Sequence, residues 1–284
     1  MEYNGYTRTC GLIGNPVEHT LSPLMHNFMA ECTGNNMVYV PFHVEKGQLE
    51  DAVKGAFSLN LLGVNVTIPY KSDVMQYLVE IDDLAVKIGA VNTLVRKEGG
   101  FKGYNTDMDG LYRAMESDGV EIKGREVLIL GAGGVARAVA IMLLEKGASG
   151  VTILNRTMER ATAIAEEVNG LAGYEFAKAL ALSDYGKLEG RYPVIQATSV
   201  GMHPNTDCAV IEDVAFYEKV EVGYDLVYNP AVTKFMKLTE AAGGRAYNGA
   251  KMLLYQGIIA YELWNDVVIS EKLAEEVYEK MINA

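Results

Sequence analysis

The sequence predicts an α/β fold in two domains with mainly parallel sheets, and three observations carry that expectation. Short β-rich runs alternate with helical periodicities from end to end, the pattern of strand–helix–strand units. An apolar strand runs straight into a glycine turn that opens a helix, at Leu130-Gly131-Ala132-Gly133-Gly134-Val135-Ala136. The chain is 284 residues long, a length that points to two domains or one large one.

Thr9–Gly14 reads as the first strand. Ser22 and Pro23 then open a helix, with Ser as N-cap and Pro at the first helical position, and Gly34 stops it. Met37–Phe42 is a second strand, a helical segment covers about 48–57, and Leu62–Thr67 is a third strand closed by Pro69. Val91–Arg96 and Phe101–Tyr104 flank Glu98-Gly99-Gly100 as a hairpin. Met108–Ser117 is a connecting helix, and a new unit begins at Glu126. There, strand Val127–Leu130 is followed by helix Val135–Lys146, which Gly147 ends. Strand Val151–Leu154, a helix over about 159–168, and strands Val194–Gln196 and Val222–Leu226 continue the sheet. Ser270 caps a last helix whose Leu273, Val277 and Met281 share one face. The domain boundary is expected within residues 107–125.

Hydrophobic residues make up 49% and charged residues 22% of the chain, which excludes disordered and collagen-like classes. The net charge of −12 argues against nucleic acid or an anionic membrane as partner, since both reward basic surface. Any anionic ligand then needs a local site that works against the global field. Cys10, Cys32 and Cys208 show no metal or disulfide spacing, which fits a reducing cytoplasm. The start, Met1-Glu2-Tyr3-Asn4-Gly5, lacks the basic and apolar stretches of a signal peptide, and no apolar run reaches the length of a membrane span. No metal is expected.

The glycine turn fits G-x-G-x-x-(G/A), a dinucleotide-binding signature. Gly131 permits a tight turn, Gly133 lets backbone approach a pyrophosphate, and Ala136 allows close helix–strand packing. With Ala132, Gly134 and Val135, the turn offers helix N-terminal N–H groups to phosphates. The next strand ends Asn155-Arg156-Thr157, with Arg160 one step on and no carboxylate at the tip. An acidic residue there would accept from a ribose 2′-hydroxyl, whereas two guanidiniums suit a 2′-phosphate, so the pattern favours NADP over NAD. The alternative is a solvated basic helix start in which Glu159 pairs with the arginines.

In the N-terminal half, Thr20 and Ser22 flank a helix start, and Asn65 and Thr67 alternate onto one face of the third strand. Lys71 follows Pro69 near a helix start, where a cation is disfavoured unless an acid lies close. Asp107 in Asn105-Thr106-Asp107 is the candidate acid, with a plain N-cap as its other reading.

Together these segments resemble the shikimate dehydrogenase family with its quinate/shikimate relatives. The resemblance rests on Gly14-Asn15-Pro16 with His19 through Asn27, on Asn65 through Lys71, and on Gly89-Ala90-Val91-Asn92-Thr93. It continues through Gly103-Tyr104-Asn105-Thr106-Asp107, Asn155-Arg156-Thr157, Ala197 through Met202, Asp225 through Pro230, and Gly249 through Gln256, in the family's order. It implies an α/β substrate domain, residues 1–107 plus about 250–284, and a Rossmann-like NADP-binding domain, about 108–249, with the reaction in the cleft between them. The implied reaction is hydride transfer between NADP and the substrate ring, interconverting 3-dehydroshikimate and shikimate for aromatic amino acid biosynthesis. Lys71 and Asp107 would stand at the reacting oxygen, with Lys71 either the acid/base or an electrostatic stabiliser. Thr20 and Ser22 would hold the carboxylate, and Asn65, Thr67, Asn92, Tyr228 and Gln256 would bind ring hydroxyls or carboxylate. Met252 would pack near the nicotinamide, with Thr198 and Gly249 lining the cofactor cleft.

Three departures qualify the resemblance: Thr20 where many shikimate-specific members carry Ser, Lys251 before the Met-Leu pair, and Gln196 where Asn is commoner. The rivals are a quinate/shikimate dehydrogenase using NAD or both cofactors, and a non-catalytic metabolite sensor on the same fold. A monomer or homodimer is expected.

Overall fold

Residues 3–284 are described by a computed structural model. They divide by their contacts into two units, Met1–Gly110 with Leu253–Ala284, and Leu111–Met252.

In the first unit, β1 (Arg8–Gly14), α1 (Ser22–Thr33), β2 (Met37–His43), α2 (Leu49–Ser58) and β3 (Gly63–Val66) come first. They are followed by β4 (Glu80–Ile81), α3 (Asp83–Ile88), β5 (Thr93–Lys97), β6 (Gly100–Tyr104) and α4 (Thr106–Ser117). The six strands run in the order β2-β1-β3-β5-β6-β4. Pairings of β1 with β2 and β3, and of β4 with β6, are parallel; β3–β5 and β5–β6 are antiparallel. The sheet is therefore mixed. One of its faces buries Val64, Val66, Leu94 and Phe101 against Leu49 and Val53 of α2.

In the second unit, β7 (Glu126–Leu130), α5 (Gly134–Glu145), β8 (Gly150–Asn155), α6 (Met158–Ala172), β9 (Ala177–Ala181) and β10 (Tyr192–Gln196) alternate. Then come α7 (Val214–Tyr217), β11 (Val220–Asp225), α8 (Lys234–Ala241) and β12 (Arg245–Tyr247). Every pairing in this sheet is parallel, in the order β12-β11-β10-β7-β8-β9. That is the doubly wound dinucleotide-binding order, with its switch point between β7 and β10. The core gathers Leu128, Leu130, Val194, Phe216 and Phe235. The chain then enters α9 (Ala250–Asn265) and α10 (Glu271–Ile282). Among the described residues no helix is long and apolar enough to cross a membrane.

Two capping expectations are corrected. The N-cap of α1 is Leu21, without a side-chain cap, and Ser22 lies inside the helix. Thr20 takes the capping role instead, its Oγ1 accepting from the Ser22 N–H at 3.2 Å, so the Ser22 hydroxyl is not spent on the backbone. At α4, Asn105 Oδ1 accepts from the Met108 N–H at 3.2 Å, and Asp107 sits in the first turn rather than at the cap. Gly34 does end α1 in the left-handed conformation, at φ 70°. The shortest elements, β4 and β12, and the alanine-rich edge strand β9 have no local signature. They form because neighbouring strands supply hydrogen-bond partners.

Within the first unit, α9 lies directly on the sheet. A Cβ at Gly63 would stand 1.9 Å from Trp264 Nε1, so only glycine lets the indole reach the Leu94 carbonyl, at 2.9 Å. Beside it, His26 of α1 is fully buried and stacks on Tyr39 at 4.3 Å between ring centroids. Neither ring nitrogen of His26 has a hydrogen-bond partner. Burial holds its pKa down at about 3, against 6.5 for the free side chain. The folded state therefore keeps His26 neutral while the unfolded chain protonates it below 6.5, so stability is lost as the pH falls through that range. In urea unfolding at pH 7 and pH 4.5, wild type should lose about 2 kcal/mol more than His26→Phe between the two pH values. Equal losses would show that the imidazole is already protonated in the fold.

Candidate functional site

In the first unit, the chain leaving β3 turns sharply, with the Tyr70 N–H donating to the Thr67 carbonyl at 2.9 Å and Tyr70 Oη donating to the Val44 carbonyl at 2.7 Å. Thr67 itself is held by its N–H on the Ile13 carbonyl, and its methyl fills the space that a Cβ at Gly14 would need. The Lys71 carbonyl accepts from the Val91 N–H at 2.7 Å, which fixes the base of the Lys71 side chain. Lys71 Nζ donates to Asp107 Oδ2 at 2.7 Å. The two side chains are 33% and 21% exposed, so the pair is open to a ligand but not free in solvent.

Asn65, Asn92, Thr93 and Thr106 form a buried polar ladder beside that pair. Asn65 Nδ2 donates to the Asn92 carbonyl at 3.2 Å and to Thr93 Oγ1 at 2.9 Å, which spends both amide protons. Asn65 Oδ1 accepts from Tyr39 Oη at 2.8 Å. Asn65 can therefore offer a ligand only an acceptor lone pair. Asn92 is complementary: Oδ1 accepts from the Thr106 N–H at 2.7 Å, Nδ2 donates to Thr106 Oγ1 at 3.0 Å, and one amide proton remains. Thr20 Oγ1 donates to Ser22 Oγ at 3.1 Å, which brings two hydroxyls together at the start of α1.

Gln256 lies on α9 and donates Nε2 to the Leu253 carbonyl at 2.9 Å. A Cβ at Gly110 would stand 2.6 Å from the Gln256 nitrogen, so the glycine is what lets α9 rest on α4. Gly110 is three residues after Asp107, on the same side of α4, and this contact registers Gln256 with the acid.

In the second unit, β7 ends at Gly131, whose φ of 111° no L side chain adopts easily. A Cβ there would also stand 2.5 Å from Thr198 Cγ2. Gly133 is the N-cap of α5, with no side-chain cap and no acid in the first turn. Added Cβ atoms at Gly133 and Gly134 would meet nothing within 4 Å. The protein itself does not require glycine there, so the space lies open to a ligand at a positive helix N-terminus.

A cleft of about 810 Å³ opens at this point. Gly131 through Val135 line one wall, and Asn155 with Arg160 stand at the end of β8. Thr198, Tyr228 and Met252 complete the wall. Four expected cofactor residues do not line it. Ala136 is buried in α5, and Arg156 and Thr157 are exposed beyond the cleft edge. Gly249 is buried: its Cβ would meet the Leu226 carbonyl at 2.4 Å, and its N–H donates to the Val227 carbonyl, so it shapes the wall from behind. Tyr228, expected among substrate residues, belongs to this unit and is 53% exposed.

Sequence reasoning missed the group that holds this wall. Asp225 at the end of β11 is fully buried and accepts from Gln196 Nε2 at 3.0 Å, the Val227 N–H at 3.0 Å and Thr233 Oγ1 at 2.6 Å. Burial, only partly offset by these bonds, raises its pKa to about 6. Gln196 Oε1 in turn accepts from the Thr198 N–H and hydroxyl, both at 2.6 Å. The longer Gln at this position is therefore the link between Asp225 and the cleft. Ser199, His203 and Asn229 also line it; Ser199 and Asn229 lie inside the motifs after β10 and β11, and His203 follows the first of these by one residue. Among the described residues, no three His, Cys, Asp or Glu side chains group to hold a metal ion.

The glycine geometry makes a direct prediction. Gly131→Ala should lower unfolding stability by at least about 1–3 kcal/mol, whereas Gly133→Ala should leave it within about 0.5 kcal/mol. Equal thermal midpoints for the two variants would contradict the assignment of strain to Gly131 alone.

Residues 12–94 match the family described as shikimate dehydrogenase substrate binding domain, and residues 114–203 match shikimate / quinate 5-dehydrogenase. The shikimate dehydrogenase (NADP(+)) of Methanothermobacter thermautotrophicus is 41% identical over 279 residues, 98% of each chain. A crystal structure of a shikimate dehydrogenase in complex with NADP+ is 38% identical, with a TM-score of 0.88 over 99% of this chain and 97% of the other. The shikimate 5-dehydrogenase of Listeria monocytogenes, solved with shikimate and NAD, is 31% identical, with a TM-score of 0.89 over 98% of both chains.

Proposed function

The chain belongs to the shikimate dehydrogenase family, and on that premise we propose that it interconverts 3-dehydroshikimate and shikimate with NADP as cofactor. The observation that carries this reading is the Lys71–Asp107 contact at 2.7 Å beside a set of hydroxyls and amides in the same unit. A purely binding protein has no need of such a reacting pair.

The residues present fit the cofactor. The unfilled space at Gly133 and Gly134 and the uncapped α5 N-terminus match a pyrophosphate. Arg160 at the cleft matches a 2′-phosphate, and no carboxylate stands at the tip of β8 to repel it. Asn155, its Nδ2 on the Thr157 carbonyl, shapes the strand tip, and Thr198 and Met252 wall the opposite side. The bound cofactor supplies the hydride donor or acceptor.

This chain's residues do the rest. In the reducing direction negative charge grows on the C3 oxygen, and the Lys71 ammonium donates to it and delivers the proton. Asp107, 2.7 Å from Lys71 Nζ, aims the ammonium. Because Lys71 is one-third exposed, solvent can restore its proton; the oxidising direction runs the same path backwards. Thr20 and Ser22 donate to the substrate carboxylate. Asn65 accepts from a ring hydroxyl while Asn92 donates to one, and Thr67 and Gln256 of the same unit complete the set. Residues 1–107 with about 250–284 serve the substrate, and about 108–249 the cofactor. The protein works in the cytoplasm in aromatic amino acid biosynthesis, as a monomer or homodimer with no nucleic acid or membrane partner, in keeping with its charge of −12.

A two-by-two assay of NADP+ and NAD+ against shikimate and quinate tests the reading. NADP+ with shikimate should give the highest kcat/KM. Preference for NAD+ or quinate would overturn the assignment of cofactor or substrate, and no reduction in any combination would overturn the enzyme.

A further inference from the structure

Two buried polar side chains stand at strand ends in the second unit, and their bonds run into the loops that wall the cleft. Gln196 ends β10 and Asp225 ends β11. They are register partners in the parallel sheet, and both are fully buried. Gln196 Nε2 donates to Asp225 Oδ1 and to the Val200 carbonyl, each at 3.0 Å. Gln196 Oε1 accepts from the Thr198 N–H and from the Thr198 hydroxyl. Both amide protons and both lone pairs are thereby occupied. Backbone groups alone fix which way the amide faces, since the Thr198 N–H can only donate and the Val200 carbonyl can only accept.

Asp225 holds the other loop. Its Oδ1 also accepts from the Val227 N–H at 3.0 Å, and its Oδ2 accepts from Thr233 Oγ1 at 2.6 Å. Thr233 is the N-cap of α8, where the same hydroxyl accepts from the Met236 N–H. Gly201 of the first loop, at φ 88°, comes so close to this residue that a Cβ would stand 3.6 Å from Thr233 Cβ. The first loop brings Thr198, Ser199 and Met202 to the cleft, and the second brings Val227, Tyr228 and Asn229. Two loops that follow different strands therefore meet at one carboxylate oxygen.

On the reading of this cleft as the cofactor site, we propose that Gln196 and Asp225 are a positioning pair for NADP, whose single buried contact sets the two loops against each other in the geometry the cofactor binds.

Packing alone does not call for such a pair. Two apolar side chains of similar volume would fill the same space without the desolvation of a carboxylate and an amide. What the polar pair adds is direction. It specifies where the Thr198 and Val227 N–H groups and the Val200 carbonyl stand, so neither loop has to be ordered when the cofactor arrives. All of these bonds lie within the second unit, so the pair acts on the cofactor and leaves the shikimate residues of the first unit untouched.

The test uses the full-length protein, with NADP+ binding measured by titration calorimetry without substrate and both KM values measured in turnover. Gln196→Met keeps the length of the side chain and removes the amide. The NADP+ Kd should rise roughly five- to thirtyfold, the worth of one or two hydrogen bonds, with shikimate KM within about twofold. Asp225→Asn keeps an acceptor oxygen for both loops and should raise the NADP+ Kd by only about two- to fivefold. In the Gln196→Met background it should add less than that, because both substitutions act through one contact. A pair that serves the fold alone would lower the thermal midpoint and the fraction of protein that binds, and leave the Kd of that fraction unchanged. That result overturns the inference, as do fully multiplicative effects of the two substitutions or an equal rise in shikimate KM. Should Gln196→Met not fold, Asp225→Asn carries the test, with an unchanged NADP+ Kd as the contrary result. A wild-type protein that does not bind NADP+ would overturn the cofactor reading itself, so the two failures are distinguishable.

Discussion

The buried ladder Asn65–Thr93–Asn92–Thr106 is the constraint on which the rest of the substrate unit depends. It joins β3, β5 and the first turn of α4 through side chains with almost no solvent to fall back on. Each member left unpaired would cost about 1–3 kcal/mol, so the set exists as a whole or not at all. Because Thr106 is tied to Asn92, the next residue, Asp107, has little freedom. Because Val91 holds the Lys71 carbonyl, the base of the lysine has little either. The short contact between Lys71 and Asp107 is the consequence of two backbones that are fixed elsewhere. Preorganisation of this kind lets a modest ion pair act on a developing charge without first reorganising.

The second unit solves a different problem. A chain of net charge −12 must hold a ligand with several phosphates. The parallel sheet turns a helix N-terminus and open glycines toward the switch point, and Arg160 in the first turn of α6 stands at the cleft. The opposite wall is fixed from below by Asp225, a buried carboxylate that costs stability when charged. That cost is tolerated because three donors converge on it and because Gln196 transmits its position to Thr198.

What the sequence made legible follows the range of the interactions. Gly131 was readable because the turn and its positive φ are decided within the strand–turn–helix segment itself. The doubly wound sheet was readable because each strand carries its own apolar run. Lys71 and Asp107 were readable as candidates, but their contact was not, because 36 residues of chain separate them. Ser22 looked like an N-cap because its neighbours could not be weighed; Thr20 does that work and leaves Ser22 for a ligand. Tyr39 and Asp225 were hidden for the same reason. Each is an ordinary strand residue whose meaning comes from partners on other strands and helices.

The central claim is that Lys71 and Asp107 act as one unit at the reacting oxygen. The most direct measurement is a double-mutant cycle on shikimate kcat with Lys71→Ala, Asp107→Asn and both together. If Asp107 works by holding the ammonium, Lys71→Ala lowers kcat by about 10²–10⁴, and adding Asp107→Asn costs little more. Losses that simply multiply, or a Lys71→Ala enzyme with normal turnover, would contradict the account.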